Sequence, residues 1–122
     1  MKRPQAADPE RFLPLTAVVF EILLSLAAED RHGYAVMRDV SARTGAALRP
    51  GTLYRALSRL LDEGLVEEID TEQPELGQDD RRRNYRLTAL GRDVARAEAR
   101  RLQEQLGHAR ARRLLSGGRG TK

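Results

Sequence analysis

Apolar residues fall along this chain in blocks with helical spacing, interrupted late by two blocks with the spacing of strands. After Leu15, the residues Val18, Val19, Ile22, Leu23 and Leu26 recur at steps of three and four. That is one face of a helix, and Pro14 can occupy its first turn without losing a needed donor. Phe20 and Leu24 lie off this stripe, four residues apart, so the helix has a second apolar side and needs a second neighbour, such as another subunit. A second helix is expected over residues 33–44, with Val36, Met37 and Val40 inward and Gly45 as its stop. The third lies in RPGTLYRALSRLLDEGLVEE, with Pro50 near its start and Gly64 just past its end. At 100° per residue, Leu53, Leu57, Leu60 and Leu61 share roughly a third of its circumference.

Beyond Gly64, LVEEID is a short strand candidate, and RNYRLT alternates, with Tyr85 and Leu87 on one face and Asn84 and Arg86 on the other. Between them TEQPELGQDDRRR is turn-rich and charged, so the two strands make a hairpin with a long tip. Thr88 stands where an N-cap is needed for a last helix over residues 89–115. Along that helix Ala95, Ala99, Leu102, Leu106 and Ala109 alternate four- and three-residue steps, a weak heptad seam. Residues 1–11 are polar with two prolines and read as a flexible arm, and 116–122 as a disordered tail.

Three helices, a hairpin and a long final helix describe a mainly α fold with a small β-hairpin. The parts match a winged helix-turn-helix domain over residues 12–88, with a C-terminal dimerisation helix over 89–115. At 122 residues with 40% hydrophobic side chains, the chain can bury one core. Its formal charge is +4, a balance that fits nucleic acid, an acidic membrane surface or an acidic protein. Every basic residue except Lys2 and Lys122 is arginine, whose planar fork suits phosphate and guanine. The absence of cysteine excludes disulfides and thiolate metal sites. His32 and His108 are the only histidines, and neither an H-E-x-x-H spacing nor a phosphate-cradling glycine loop occurs. Neither catalysis nor a cofactor or metal is expected. The longest apolar segment, residues 15–28, is too short for a bilayer and holds Glu21, and no apolar signal core precedes it. Cytoplasm is the default.

The side of the third helix away from its leucines carries Arg55 and Arg59 in line with Thr52, with Tyr54 and Ser58 on a flank. A helix of this length fits the major groove, where two arginines one turn apart reach base edges or flanking phosphates. Arg49, just before the helix, is a further candidate. Thr52 suits either a helix cap or a phosphate ligand. Tyr34 and Tyr54 suit the boundary of a core, with hydroxyls free to donate to phosphates. In the hairpin tip, Arg81 and Arg82 either reach the DNA backbone or balance the acids upstream; residues 71–86 hold four acids and four bases. The seam between two copies would combine Phe20 and Leu24 with Leu102 and Leu106.

The segments LLSLAAEDRHGYAVMRDV, GTLYRALSRLLDEGLVEE and NYRLTALGR resemble the PadR family of bacterial transcriptional regulators, short-tailed type, over most of the chain. The resemblance implies a homodimeric repressor that binds a pseudo-palindromic operator on double-stranded DNA and is released by a small molecule or another signal. It also implies DNA contacts from the tyrosine of HGY (Tyr34), from Thr52, Tyr54 and Arg55, and from basic wing residues. Here the wing departs from the family mix by placing Glu72, Glu75, Asp79 and Asp80 before its arginines. The rival is a winged-helix module that dimerises and docks an acidic protein without reading DNA.

Overall fold

In the computed structural model, which describes residues 8–69 and 83–115, Thr16 rather than Pro14 opens the first helix. Its hydroxyl accepts the Val19 N–H at 3.2 Å and so satisfies a donor that a helix start otherwise leaves unpaired. Helix α1 is therefore Ala17–Ala28, and Leu15 packs on the core from the linker ahead of it. Upstream, Pro9–Phe12 forms a 3-10 turn capped by the Asp8 carboxylate, and this turn packs against the last helix. The end of the expected arm thus belongs to the folded body, while residues 1–7 lie outside the described ones.

The inner stripe of α1 is buried at Ile22, Leu23 and Leu26. After it the chain forms a strand that the sequence pattern did not predict, β1, Arg31–His32. Two residues are too few to show alternation. β1 pairs antiparallel with β3 (Asn84–Leu87), Arg31 opposite Tyr85 and His32 opposite Asn84, and β2 (Val66–Ile69) pairs with the other edge of β3. The expected two-stranded hairpin is thus part of a three-stranded sheet, ordered β1-β3-β2.

His32 also caps α2 (Gly33–Thr44), its Nδ1 accepting the Ala35 N–H at 3.2 Å. Gly45, with φ of +78°, ends that helix as expected. Helix α3, Pro50–Asp62, closes on Gly64, also at φ +78°. There the Leu65 N–H reaches the Leu60 carbonyl at 3.0 Å and the Gly64 N–H reaches Leu61 at 3.1 Å. This is the paired closure that favours a left-handed glycine.

Thr88 caps α4 (Ala89–Ala111) by accepting the Gly91 N–H at 2.9 Å, and its own hydroxyl donates to the Gly64 carbonyl at 2.7 Å. Gly91 sits so close to the turn after α3 that a Cβ there would fall on the Leu65 carbonyl oxygen. One threonine and one glycine therefore lock the last helix to the end of α3.

Helix α4 stops four residues short of the expected 115. Arg113 takes a left-handed φ of 62°, with Leu114 N–H on the Ala109 carbonyl at 2.8 Å and Arg113 N–H on Arg110 at 2.9 Å. The hydrogen-bond pattern repeats that at Gly64, on a residue that gives no sign of it. The helix therefore ends at Ala111 on a left-handed turn that no glycine marks.

The first half of α4 is packed, with Val94 and Ala95 in the core, so Ala95 does not belong to an outward seam. Glu98 is only 2% exposed and takes two hydrogen bonds from Arg101, at 2.8 and 2.9 Å. Those bonds, helped by the Arg101 charge and the Leu15 amide, outweigh the effect of burial and hold the carboxyl below the ordinary glutamate range.

Candidate nucleic-acid interface

Leu53, Leu57 and Leu60 bury one side of α3 almost completely. The opposite side presents Tyr54, Arg55, Ser58 and Arg59, all exposed. Arg49 occupies the cap position, is exposed, and makes no side-chain capping bond. Thr52 lies inside the helix, in its first turn, and is half-buried, so it is not the cap. The N–H groups of that first turn are left without a side-chain acceptor, which favours an anion at this end.

Arg55 has no carboxylate partner among the described residues. Its guanidinium lies back along the helix, with Nη1 3.6 Å from where a Cβ on Gly51 would stand. Arg59 is paired, but loosely: Nε is 3.4 Å from Glu63 Oε2 and the side chain is 73% exposed. An exposed pair four residues apart on a helix contributes about 0.3–0.5 kcal/mol. A bidentate guanine or phosphate contact is stronger and can displace it.

The HGY and GTLY segments meet in space. A Cβ on Gly33 would collide with the hydroxyl and ring of Tyr54, so only glycine lets that tyrosine settle against the start of α2. Behind Tyr54 lies Tyr85, whose phenol is pushed up by burial and by the neighbouring Glu68 and Tyr54. Tyr34 is 53% exposed, and its ring stacks on that of His32 with centroids 6.5 Å apart. Arg38, one turn further along α2, places its guanidinium carbon 5.7 Å from the centroid of Tyr34. Sequence reading missed Arg38, although its four-residue spacing from Tyr34 signals a shared helix face.

The structure thus brings Tyr34, Tyr54, Arg49, Thr52, Arg55, Ser58 and Arg59 onto α2, α3 and the entry to α3. Arg81 and Arg82 lie outside the described residues. At the base of the hairpin Arg83 pairs with Glu68 at 3.3 Å, and Arg86 with Asp30 and Glu67 at 3.5 Å each. The cations there are already matched by acids. Elsewhere, Leu24 is 37% and Leu106 45% exposed, and Phe20 and Leu102 are half-buried.

The family model of the PadR-like transcriptional regulators matches residues 22–97, from the middle of α1 to the packed half of α4. The chain belongs to the PadR-like family. The same architecture occurs in a PadR family transcription regulator from hypervirulent Clostridium difficile, with 26% identity and a TM-score of 0.64 over 75% of this chain and 95% of that one. RosR of H. salinarum is 31% identical with a TM-score of 0.62, over 80% of this chain and 79% of that one. An uncharacterized 37.1 kDa protein in a Streptomyces fradiae transposon is 37% identical over 78 residues, 64% of this chain. The chain spans about a fifth of that relative's length, 21%. PadR-like proteins are DNA-binding transcription factors rather than enzymes, and on the exposed side of α3 Arg55 has no carboxylate partner among the described residues. Among the described residues no helix is long and apolar enough to cross a membrane.

Proposed function

We propose that this PadR-like chain is a homodimeric repressor that binds a pseudo-palindromic operator and releases it on binding a small molecule. The observation that carries the DNA reading is Arg55, exposed on α3 with no carboxylate among the described residues to neutralise it. Arg55 and Arg59 read base edges or adjacent phosphates in the major groove. Tyr34, Thr52, Tyr54, Ser58 and Arg49 hold the backbone, and Arg81 and Arg82 extend the contact from the wing.

Partly exposed leucines on α1 and α4 support pairing of two copies through Phe20, Leu24, Leu102 and Leu106. A two-fold pair presents two α3 helices, so its half-sites lie one helical turn of DNA apart, or a multiple of it. A small molecule that changes the spacing of the two helices releases both half-sites.

The test is selection of duplexes from a random-sequence library by the wild-type protein, with binding then measured as salt is raised. Recovery of an inverted repeat bound at about 150 mM salt in excess unrelated duplex supports the reading. Affinity that falls alike for every duplex with salt reflects counterion release alone. It would favour the protein-docking alternative.

A further inference from the structure

The outer face of α2 continues the tyrosine surface by one turn, and Arg38 is what stands there. Its guanidinium is held at the Tyr34 ring, 5.7 Å from the centroid. The same ring stacks on His32, which is itself fixed as the cap of α2. Arg38 is exposed, and among the described residues no carboxylate pairs with it. Its sequence neighbour Asp39 is engaged elsewhere, by Arg43 at 3.1 Å and Arg31 at 4.0 Å. The Tyr54 ring packs on Gly33, so the start of α2 and the outer flank of α3 form one continuous surface.

We propose that Arg38 is a DNA-contacting residue that, with the Tyr34 hydroxyl, grips one backbone phosphate beside the groove entered by α3. This deepens the regulator reading above and rests on it. A guanidinium stacked on a phenol has already lost much of its rotamer freedom, so less entropy is lost when it meets an anion. A phosphodiester suits the pair because arginine donates two parallel hydrogen bonds to it and the tyrosine hydroxyl a third. The contact reads no base; it sets the register and tilt of α3 in the groove.

The experiment uses the full chain and a duplex selected by the wild-type protein. Binding is followed by fluorescence anisotropy between roughly 50 and 200 mM KCl. Arg38→Ala and Arg38→Gln are expected to bind about 100-fold more weakly at the low-salt end of that range, roughly 10-fold for each of the two phosphate contacts a symmetric dimer loses. In a symmetric dimer two phosphates are lost, so the slope of log affinity against log salt should fall by about 1.8, twice the value for one phosphate. Arg38→Lys should keep the wild-type slope, and all three variants should melt with the wild type. An unchanged slope overturns the proposal whatever the affinity, because Arg38 then acts at most by steadying Tyr34. If the wild type selects no duplex, the regulator reading fails first and the phosphate contact falls with it.

Discussion

Arginine serves two different purposes on the two sides of α2. On the side facing α1, Arg43 joins the helices: it pairs with the Glu21 carboxylate, donates to the Glu21 carbonyl at 3.1 Å, and binds Asp39 at 3.1 Å. Arg31 donates to the Ser25 carbonyl at 3.1 Å and approaches Asp39. Burial alone would raise the Asp39 carboxyl, but the nearby Ser25 hydroxyl, the hydrogen bond from Arg43 and the charges of Arg43 and Arg31 prevail and hold it low. Arg101 does the same for Glu98 on α4. On the side facing away from the core, Arg38 and Arg55 have no such acids among the described residues, and Arg59 has only a weak one. The same side chain holds helices together where a carboxylate faces it, and is left available to a partner where none does. Local charge counts do not separate the two cases.

The sharpest way to break this contrast is to remove the most buried acid. Glu98→Ala should destabilise the fold by about 3 kcal/mol, because it opens a cavity and strands the Leu15 amide. Urea unfolding reads this directly, and a loss below about 1 kcal/mol would show the pair to be a surface one.

A paired substitution compares the two sides of α2. Arg55→Ala should weaken operator binding by about 1–3 kcal/mol while changing unfolding free energy by less than about 0.5 kcal/mol. Arg43→Ala should do the reverse, lowering stability by about 1 kcal/mol and leaving affinity per folded molecule unchanged. Equal effects of both variants on stability would erase the distinction.

Acid should act on the inner side first. Asp39 and Glu98 both have folded-state pKa values below their ordinary ones. Their stabilisation is fully present above the ordinary carboxylate range, near about 4, and is lost as pH falls through the lowered values, where the folded carboxylates take up protons. Thermal melting of the wild type should therefore decline below about pH 4.5, and Glu98→Gln should flatten that decline. A slope identical in the variant would show that Glu98 does not contribute.

The smallest effect concerns Glu63, the partner of Arg59 on the outer side. Glu63→Gln releases Arg59 and removes a negative charge from the end of α3, so operator affinity should rise by up to about twofold, the equivalent of about 0.4 kcal/mol. A fall in affinity would mean that the ion pair orients Arg59 for its contact.

Periodicity alone defined the helices, because their leucine and valine stripes repeat within single elements and need no partner to be seen. It placed α2 and α3 and gave the faces of both: the buried side of α3, and with it the exposed set Tyr54, Arg55, Ser58 and Arg59, follows from 100° per residue. Glycines at 45 and 64 announced two helix ends because a left-handed backbone favours that residue. The same turn at Arg113 went unseen, since an arginine bears no such mark.

What the tertiary structure decided involves residues far apart in sequence. β1 exists only because β3 lies beside it, and Gly33 matters because Tyr54 arrives from another helix. Tertiary packing also made Glu98 a buried anchor and set Arg38 beside Tyr34 with no acid paired to it among the described residues. Helical periodicity is a property of consecutive residues and is written in their order. The fate of a charge depends on which groups the fold brings within a few ångströms of it, and that distance is set only when the elements pack.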